Sequence, residues 1–238
     1  GLLLELLGFR GALWAMAAAL GLILLGVVLS LPPMLGKAKA SKSARELLSK
    51  NRGVNLLAIA RVALFGARDV WFVVGVPVFL YASGWTFTMV GTFLALWTIG
   101  YGLVQAAAPA VVKRSLDGLT QEVRAARLWS FGLAVIPAAI AAILASNSGL
   151  RPDLILVAGL GLFGFAFAVN SSVHSYLILA YAGSEKAAED VGFYYAANAL
   201  GRFAGTLLSG LLYQWGGIYA CLIGSCLMLV ACFLATLA

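Results

Sequence analysis

The chain carries Gly210-Leu-Leu-Tyr-Gln-Trp-Gly-Gly217-Ile-Tyr-Ala-Cys-Leu222 near its end, and this stretch aligns without gaps on Gly1-Leu-Leu-Leu-Glu-Leu-Leu-Gly8-Phe-Arg-Gly-Ala-Leu13 at its beginning. Each copy has the composition of a helix end, a short turn and the start of the next helix. Parallel repeats of this kind are typical of membrane carriers built from two six-helix halves. The repeat therefore predicts equivalent helix pairs in two halves of one fold.

The regions around the two copies are apolar enough to lie in a membrane. Of the 238 residues, 63% are hydrophobic and 11% are charged, whereas soluble domains contain about 25% charged residues. Continuous apolar runs without alternation favour helices over barrel strands. We expect the end of one helix near Leu7 and then seven full membrane spans, at about 11–35, 54–82, 86–112, 127–146, 153–182, 191–213 and 218–238.

The Lys and Arg residues predict the orientation of these spans. Eleven of them lie in the alternate gaps 36–53, 113–127 and 183–190, whereas the opposite gaps hold only Arg10 and Arg151. Because cytoplasmic loops carry an excess of basic residues, the first set of gaps and the C-terminus are predicted to be cytoplasmic. We expect a multi-pass protein of the bacterial inner (cytoplasmic) membrane, in contact with the lipid bilayer. This topology explains the net charge of +7 without a nucleic-acid partner.

Counting spans back from the C-terminus assigns the long basic gap to the middle of a two-half carrier. Residues 1–35 are then the end of the N-terminal half, namely the end of helix 5 and helix 6. Residues 36–53 are a cytoplasmic linker, and residues 54–238 are helices 7–12 of the C-terminal half. The chain begins with Gly1 inside an apolar run and without a cleavable signal peptide, so we expect it to be part of a longer protein.

Four charged side chains fall inside the predicted spans, where a charge is costly and marks a candidate functional site. They are Arg61, Arg68 and Asp69 in one span and Arg202 in another. Arg61 and Arg68 are seven residues apart and therefore share a helix face. Simpler explanations stay open, because Arg61 could snorkel to the membrane surface and Arg68 could form a purely structural ion pair with Asp69.

Uncharged polar residues on three spans extend this candidate site. Polar faces on four helices at similar depth predict a central aqueous cavity. The substrate-binding candidates are Arg68, Arg202, Arg61, Asn198, Gln105, Tyr101 and Asn170. Asp69 and His174 are candidates for carrying a coupling proton, although His174 could instead be a hydrogen-bonded packing residue.

The sequence contains no recognisable catalytic or cofactor-binding motif. Gly159-Leu-Gly-Leu-Phe-Gly164 matches the dinucleotide fingerprint, but inside a long apolar helix it predicts close helix packing, as does Gly201-x-x-x-Gly205. Cys221, Cys226 and Cys232 are too far apart along one span, or on too different faces, to bind a metal together. We therefore expect no enzyme activity, no cofactor and no metal.

These features together resemble the major facilitator superfamily, whose members have two six-helix halves, a long basic central loop and a cavity lined by helices of both halves. The stretch Asn198-Ala-Leu-Gly-Arg-Phe-Ala-Gly-Thr-Leu-Leu-Ser-Gly-Leu-Leu-Tyr-Gln-Trp-Gly-Gly217 is similar to a common version of its helix 11–12 region. The resemblance implies an all-α polytopic fold, present here in part. The superfamily's loop motif is an Asp followed by basic residues and a Gly. Here it is present only in part, as Lys113, Arg114, Asp117 and Gly118.

A narrower resemblance is carried by Asn51-Arg-Gly-Val-Asn-Leu-Leu-Ala-Ile-Ala-Arg61, by Phe65-Gly-Ala-Arg-Asp-Val-Trp-Phe-Val-Val-Gly-Val-Pro-Val-Phe-Leu-Tyr81 and by Trp97-Thr-Ile-Gly-Tyr-Gly102. These segments are similar to the ArsJ-type organoarsenical efflux permeases. That resemblance implies export of 1-arseno-3-phosphoglycerate, an arsenate ester made by a partner glyceraldehyde-3-phosphate dehydrogenase, and hence arsenate resistance.

The residues are compatible with such a small anionic substrate. Three intramembrane arginines against one Asp leave an excess of positive charge, and Arg is suited to bidentate recognition of phosphate or carboxylate. The alternatives are another carrier of the same fold, for drugs, sugars or other organic anions, a membrane-embedded enzyme, and a non-transporting receptor or assembly subunit.

Overall fold

The computed structural model describes residues 2–31, 52–112, 115–117, 119–146, 149–182 and 187–237, and its regular elements over those residues are helices. They are α1 (Leu2–Ser30), α2 (Arg52–Phe72), α3 (Gly75–Ala82), α4 (Phe87–Val111), α5 (Thr120–Ala145), α6 (Pro152–Tyr181) and α7 (Ala187–Leu237). Six helical segments are long and apolar enough to cross a membrane, with α2 and α3 counted together. Most of the predicted linker 36–53 lies outside the described residues, as do Lys113, Arg114 and Gly118.

The long helix α7 consists of two antiparallel arms that meet at Gly216 and Gly217. A single straight helix of 51 residues would be about 75 Å long, more than twice the hydrocarbon thickness of about 30 Å. Instead, the Cys221 Sγ lies 3.6 Å from the Ser209 carbonyl oxygen, so residues on either side of the two glycines face each other. The first arm (187–215) and the second arm (218–237) correspond to the last two predicted spans.

The two copies of the sequence repeat share one unusual backbone conformation. Gly8 has φ 65° and ψ 179°, and Gly217 has φ 60° and ψ −150°. This region of backbone space is open essentially only to glycine. The two residues occupy aligned positions in the repeat, so the similarity in sequence is also a similarity in how each helix is interrupted.

Helix α2 packs against the first arm of α7 at backbone contact distance. A Cβ added to Gly201 would lie 2.4 Å from the Val62 carbonyl oxygen, and one added to Gly205 would lie 2.5 Å from the Gly66 carbonyl oxygen. Only glycine allows two helices to approach this closely. The predicted role of Gly201-x-x-x-Gly205 in close helix packing is confirmed.

The glycines that mimic the dinucleotide fingerprint lie in the interior of α6. A Cβ at Gly159 would lie 2.4 Å from the Ile140 Cδ1 atom of α5, and one at Gly164 would lie 2.7 Å from the Trp97 Nε1 atom of α4. Gly161 has nothing within 4 Å. Close packing therefore explains two of the three glycines, and the segment begins no helix at which a phosphate group could bind.

The break between α2 and α3 follows from Pro77. Proline has no amide hydrogen and its ring clashes with the carbonyl of the residue four positions earlier, which is Val73. The Ser209 hydroxyl oxygen of α7 lies 3.2 Å from the backbone nitrogens of both Val74 and Gly75 and accepts from them. The break is therefore satisfied by the neighbouring helix, and the predicted span 54–82 is one span with an interruption.

Candidate functional site

Three of the predicted in-span charges meet between α2 and the first arm of α7. Asp69 accepts a hydrogen bond from the Arg68 Nε atom at 2.6 Å and another from the Arg202 Nε atom at 3.2 Å. One carboxylate is therefore shared by two guanidinium groups. We call this arrangement the Arg68–Asp69–Arg202 cluster, and its net charge is positive.

Burial makes the two arginines of the cluster unequal. The side chain of Arg68 is 11% exposed and that of Asp69 only 1%, whereas the side chain of Arg202 is 58% exposed. An ion pair to an exposed arginine is screened and weak, while a pair between buried groups is costly to break. Arg202 is therefore the arginine of the cluster that a ligand can reach without displacing the helices.

Arg61 adds a second, more deeply buried positive charge on α2. Its Nη1 atom donates to the hydroxyl oxygen of Ser171 at 3.1 Å and to the carbonyl oxygen of Ser171 at 3.2 Å. Arg61 is only 3% exposed, so it does not snorkel to the surface. Within the described residues no carboxylate pairs with it. Because buried charges are normally paired, Arg61 contributes positive charge that the described residues leave uncompensated.

The Phe65 ring connects the two arginines of α2. The guanidinium carbon of Arg61 lies 4.0 Å from the Phe65 ring centroid, and that of Arg68 lies 4.9 Å from it. Contacts of this kind stabilise a cation away from water. The sequence analysis did not single out Phe65, although its position four residues after one arginine and three before the other places all three on one helix face.

Two further residues around Arg61 could not be found from sequence patterns. Ser171 belongs to α6, and the Tyr194 ring of α7 lies 4.6 Å from the Arg61 guanidinium carbon. Tyr194 is fully buried. They meet Arg61 only because three helices converge, and no spacing within one helix announces such a contact.

Three further substrate-binding candidates, Tyr101 and Gln105 of α4 and Asn198 of α7, differ in how close they lie to the arginines. Tyr101 is half-buried, and its ring centroid lies 5.8 Å from that of Phe167, which is 5.2 Å from the guanidinium carbon of Arg68. Gln105, one turn further along α4, is also half-buried. The side-chain oxygen of Asn198 is buried and accepts no hydrogen bond from the described residues. Tyr101 is thus brought close to the arginines, while nothing in the described part of the chain ties Gln105 to them.

Asn170 and His174 lie in the packing between helices, and both are fully buried. The Asn170 Nδ2 atom donates to the Ser130 hydroxyl of α5 at 3.0 Å, and the Ser130 oxygen lies 3.7 Å from the Cys232 Sγ atom of α7. Neither ring nitrogen of His174 forms a hydrogen bond within the described residues. Neither side chain lines a cavity in this arrangement of the described residues. The substrate-binding role of Asn170 and the proton-coupling role of His174 stay predictions.

The arrangement as a whole is suited to holding an anion. Arg61, Arg68 and Arg202 present three guanidinium groups against the single carboxylate of Asp69. Guanidinium groups match the oxygens of phosphate and carboxylate in a bidentate manner. Among the described residues no three His, Cys, Asp or Glu side chains are placed to hold a metal ion. The chemistry that this geometry offers is electrostatic recognition.

Comparison of the chain with protein-family models, with curated proteins and with solved structures gave no significant match. The six apolar segments describe a multi-pass membrane protein.

Proposed function

We propose that the protein is a secondary active efflux transporter for an organic anion. One observation carries this proposal: the charged side chains inside the apolar spans are three arginines and one carboxylate. Asp69 pairs with Arg68 and Arg202, whereas the buried Arg61 bonds only to Ser171 among the described residues. Uncompensated positive charge is expensive in a low-dielectric interior, and an anionic substrate would lower that cost. A purely structural network would instead be expected to balance its charges within the protein.

The substrate we propose is 1-arseno-3-phosphoglycerate, so that transport confers arsenate resistance. The proposal rests on the resemblance of the three quoted segments to the ArsJ-type permeases and on the arginine excess. Such an ester carries anionic groups at both ends, which suits two separated positive regions, one at Arg61 and one at Arg202. A functional link to a glyceraldehyde-3-phosphate dehydrogenase follows, because that enzyme class makes the ester.

The proposed mechanism is alternating access in the cytoplasmic membrane, with the C-terminus in the cytoplasm. Arg202 is held to Asp69 only by a screened contact, so a substrate anion exchanges with Asp69 at little cost. Asp69 then remains paired with Arg68. Asp69 and His174 are the two candidates for carrying the coupling proton.

The test compares Arg202→Ala with Arg151→Ala in the full-length protein. Arg151 is an exposed arginine whose ion pair is with Asp153, far along the chain from the cluster, so its loss removes one charge without touching the proposed site. We expect Arg202→Ala to abolish arsenate resistance in cells that also contain the dehydrogenase, at unchanged abundance in the membrane, and Arg151→Ala to retain resistance. Unchanged resistance in Arg202→Ala would remove this residue from the site.

A second measurement separates the transporter from the other classes of protein. Inside-out vesicles that contain the protein should accumulate the arsenate ester, and Arg202→Ala vesicles should not. Accumulation of cationic drugs or of neutral sugars in place of the ester would identify a different carrier. No accumulation of any solute would favour a receptor or an assembly subunit.

A further inference from the structure

A second basic site lies at the end of the bundle where α2 and α5 begin and where α6 and α7 end. A cavity of about 410 Å³ opens there, between the first turns of two helices and the last turns of two others. Its volume is within the range of about 300–1,000 Å³ that is usual for small-molecule sites. None of the residues assigned above to the anion site lines it.

Two arginines stand at this cavity, Arg52 on α2 and Arg127 on α5. The Nε atom of Arg127 donates to the Thr236 carbonyl oxygen at 2.7 Å. This bond fixes the side chain at the end of α7, and within the described residues it is the only hydrogen bond that Arg127 makes. Within that part of the chain no acceptor occupies the terminal amino groups of its guanidinium, which suit a ligand with anionic oxygens.

The rest of the lining is mostly apolar. It includes Leu56, Leu57, Val123, Leu177 and Ala235. A soluble phosphate ester would leave this apolar surface uncovered, whereas a phospholipid would cover it with hydrocarbon while its phosphate met the arginines.

The cavity is also at the right depth and is open at one side. Helix α5 has 26 residues and is thus about 39 Å long, longer than the hydrocarbon core of about 30 Å, so its first turns reach the headgroup region. A second cavity, of about 570 Å³, shares Val123 and Arg127 with the first. A lipid could enter from that side.

We propose that this cavity binds the headgroup of an anionic phospholipid. The phosphate lies at Arg52 and Arg127, and an acyl chain lies against the apolar wall. Basic pockets between membrane helices are known recognition sites for anionic lipids. The proposal does not depend on what the protein transports.

The experiment measures phosphatidylglycerol retained by the detergent-purified, full-length protein, with phosphatidylcholine as the neutral lipid for comparison. Arg127→Gln should lower the retention of phosphatidylglycerol at least about fivefold, the factor expected for one basic residue near a membrane surface. Ala235→Leu should lower it similarly, because it fills the cavity without changing any charge. Arg10→Gln is the control, since Arg10 is exposed and lies on α1.

Each outcome of this experiment decides something. Loss of retention in Arg127→Gln and Ala235→Leu but not in Arg10→Gln supports the site. Equal retention in all variants overturns it, and if Arg127→Gln fails to fold, Ala235→Leu decides alone. Millimolar glycerol phosphate should not displace the lipid; if it does so as well as phosphatidylglycerol itself, the cavity recognises free phosphate and the lipid assignment is wrong.

Discussion

Replacing Asp69 by Asn removes the carboxylate that Arg68 and Arg202 share and keeps the shape of the side chain. The Arg68 pair is short, at 2.6 Å, with Asp69 buried and Arg68 mostly buried, so we expect its loss to cost about 3 kcal/mol, the lower end for a broken buried ion pair. The Arg202 pair is longer, at 3.2 Å, and its arginine is 58% exposed. After screening by solvent, its loss should cost less than about 1 kcal/mol.

Two double-mutant cycles separate these contributions. Asp69→Asn is combined once with Arg68→Gln and once with Arg202→Gln, and the coupling free energy is the departure of each double variant from the sum of its single variants. Unfolding in detergent micelles can be followed by tryptophan fluorescence, since the chain contains six Trp residues. We expect a coupling of about 3 kcal/mol for Arg68 and of about 0.5 kcal/mol for Arg202.

The result that refutes this reasoning is a coupling for Arg202 that equals or exceeds the coupling for Arg68. Burial would then not decide which arginine is held by Asp69 and which is available to a ligand. The proposed exchange of a substrate anion for Asp69 at Arg202 would lose its energetic basis, because breaking that pair would no longer be cheap. Arg10→Gln, which removes an exposed arginine of α1, serves as the control for unspecific effects of charge.

Two further predictions concern packing and pH. Gly201→Ala should destabilise the protein by about 1–3 kcal/mol through overpacking, because the added Cβ would lie 2.4 Å from the Val62 carbonyl oxygen. Gly161→Ala is the control: nothing lies within 4 Å of its added Cβ, so it should be neutral or stabilising in the same unfolding assay. Equal losses of stability in the two variants would contradict the packing argument. Hydrogen bonds from Ser115 and from Thr120 hold the pKa of Asp117 below its usual value, so the stabilisation is present above about pH 4 and is lost as the pH falls toward the lowered pKa. Asp117→Asn should therefore reduce the loss of stability in acid, and an unchanged pH dependence would contradict this role.

The membrane spans could be predicted because the bilayer imposes a length and a polarity on every helix that crosses it. The structure begins α5 at Thr120, seven residues before the predicted span 127–146. Those first turns carry charged residues and extend past the hydrocarbon core, where hydropathy no longer marks a helix. The sequence analysis predicted the span 54–82 as continuous and missed the break that Pro77 causes between α2 and α3. Only the structure shows that the Ser209 hydroxyl of a distant helix satisfies the broken backbone.

The candidate site was predictable in part, for a similar reason. A charge inside an apolar span is conspicuous in any sequence, and Arg61, Arg68, Asp69 and Arg202 were all named from that signal. The sequence offered an Arg68–Asp69 ion pair, which the structure contains, but the pairing of Asp69 with Arg202 on another helix was not predictable. A Cβ added to Gly205 would lie 3.0 Å from the Asp69 Cβ atom. The close contact of α2 with α7 at this glycine therefore also sets the distance between Asp69 and Arg202.

The sequence alone determined that the chain is helical and membrane-embedded, which residues interrupt its apolar runs, and where its repeat places a glycine turn. These properties follow from local chemistry, because each span must satisfy its own backbone and cover its own length. Only the tertiary structure decided the rotation of each helix about its axis. Asn170 and His174 form a polar stripe that could have faced a cavity, yet both are buried in helix packing. Asn170 donates to Ser130 of a neighbouring helix, whereas neither ring nitrogen of His174 has a partner among the described residues. A polar stripe can be enclosed by neighbouring helices or face water, and only the packing of all the helices together selects between the two.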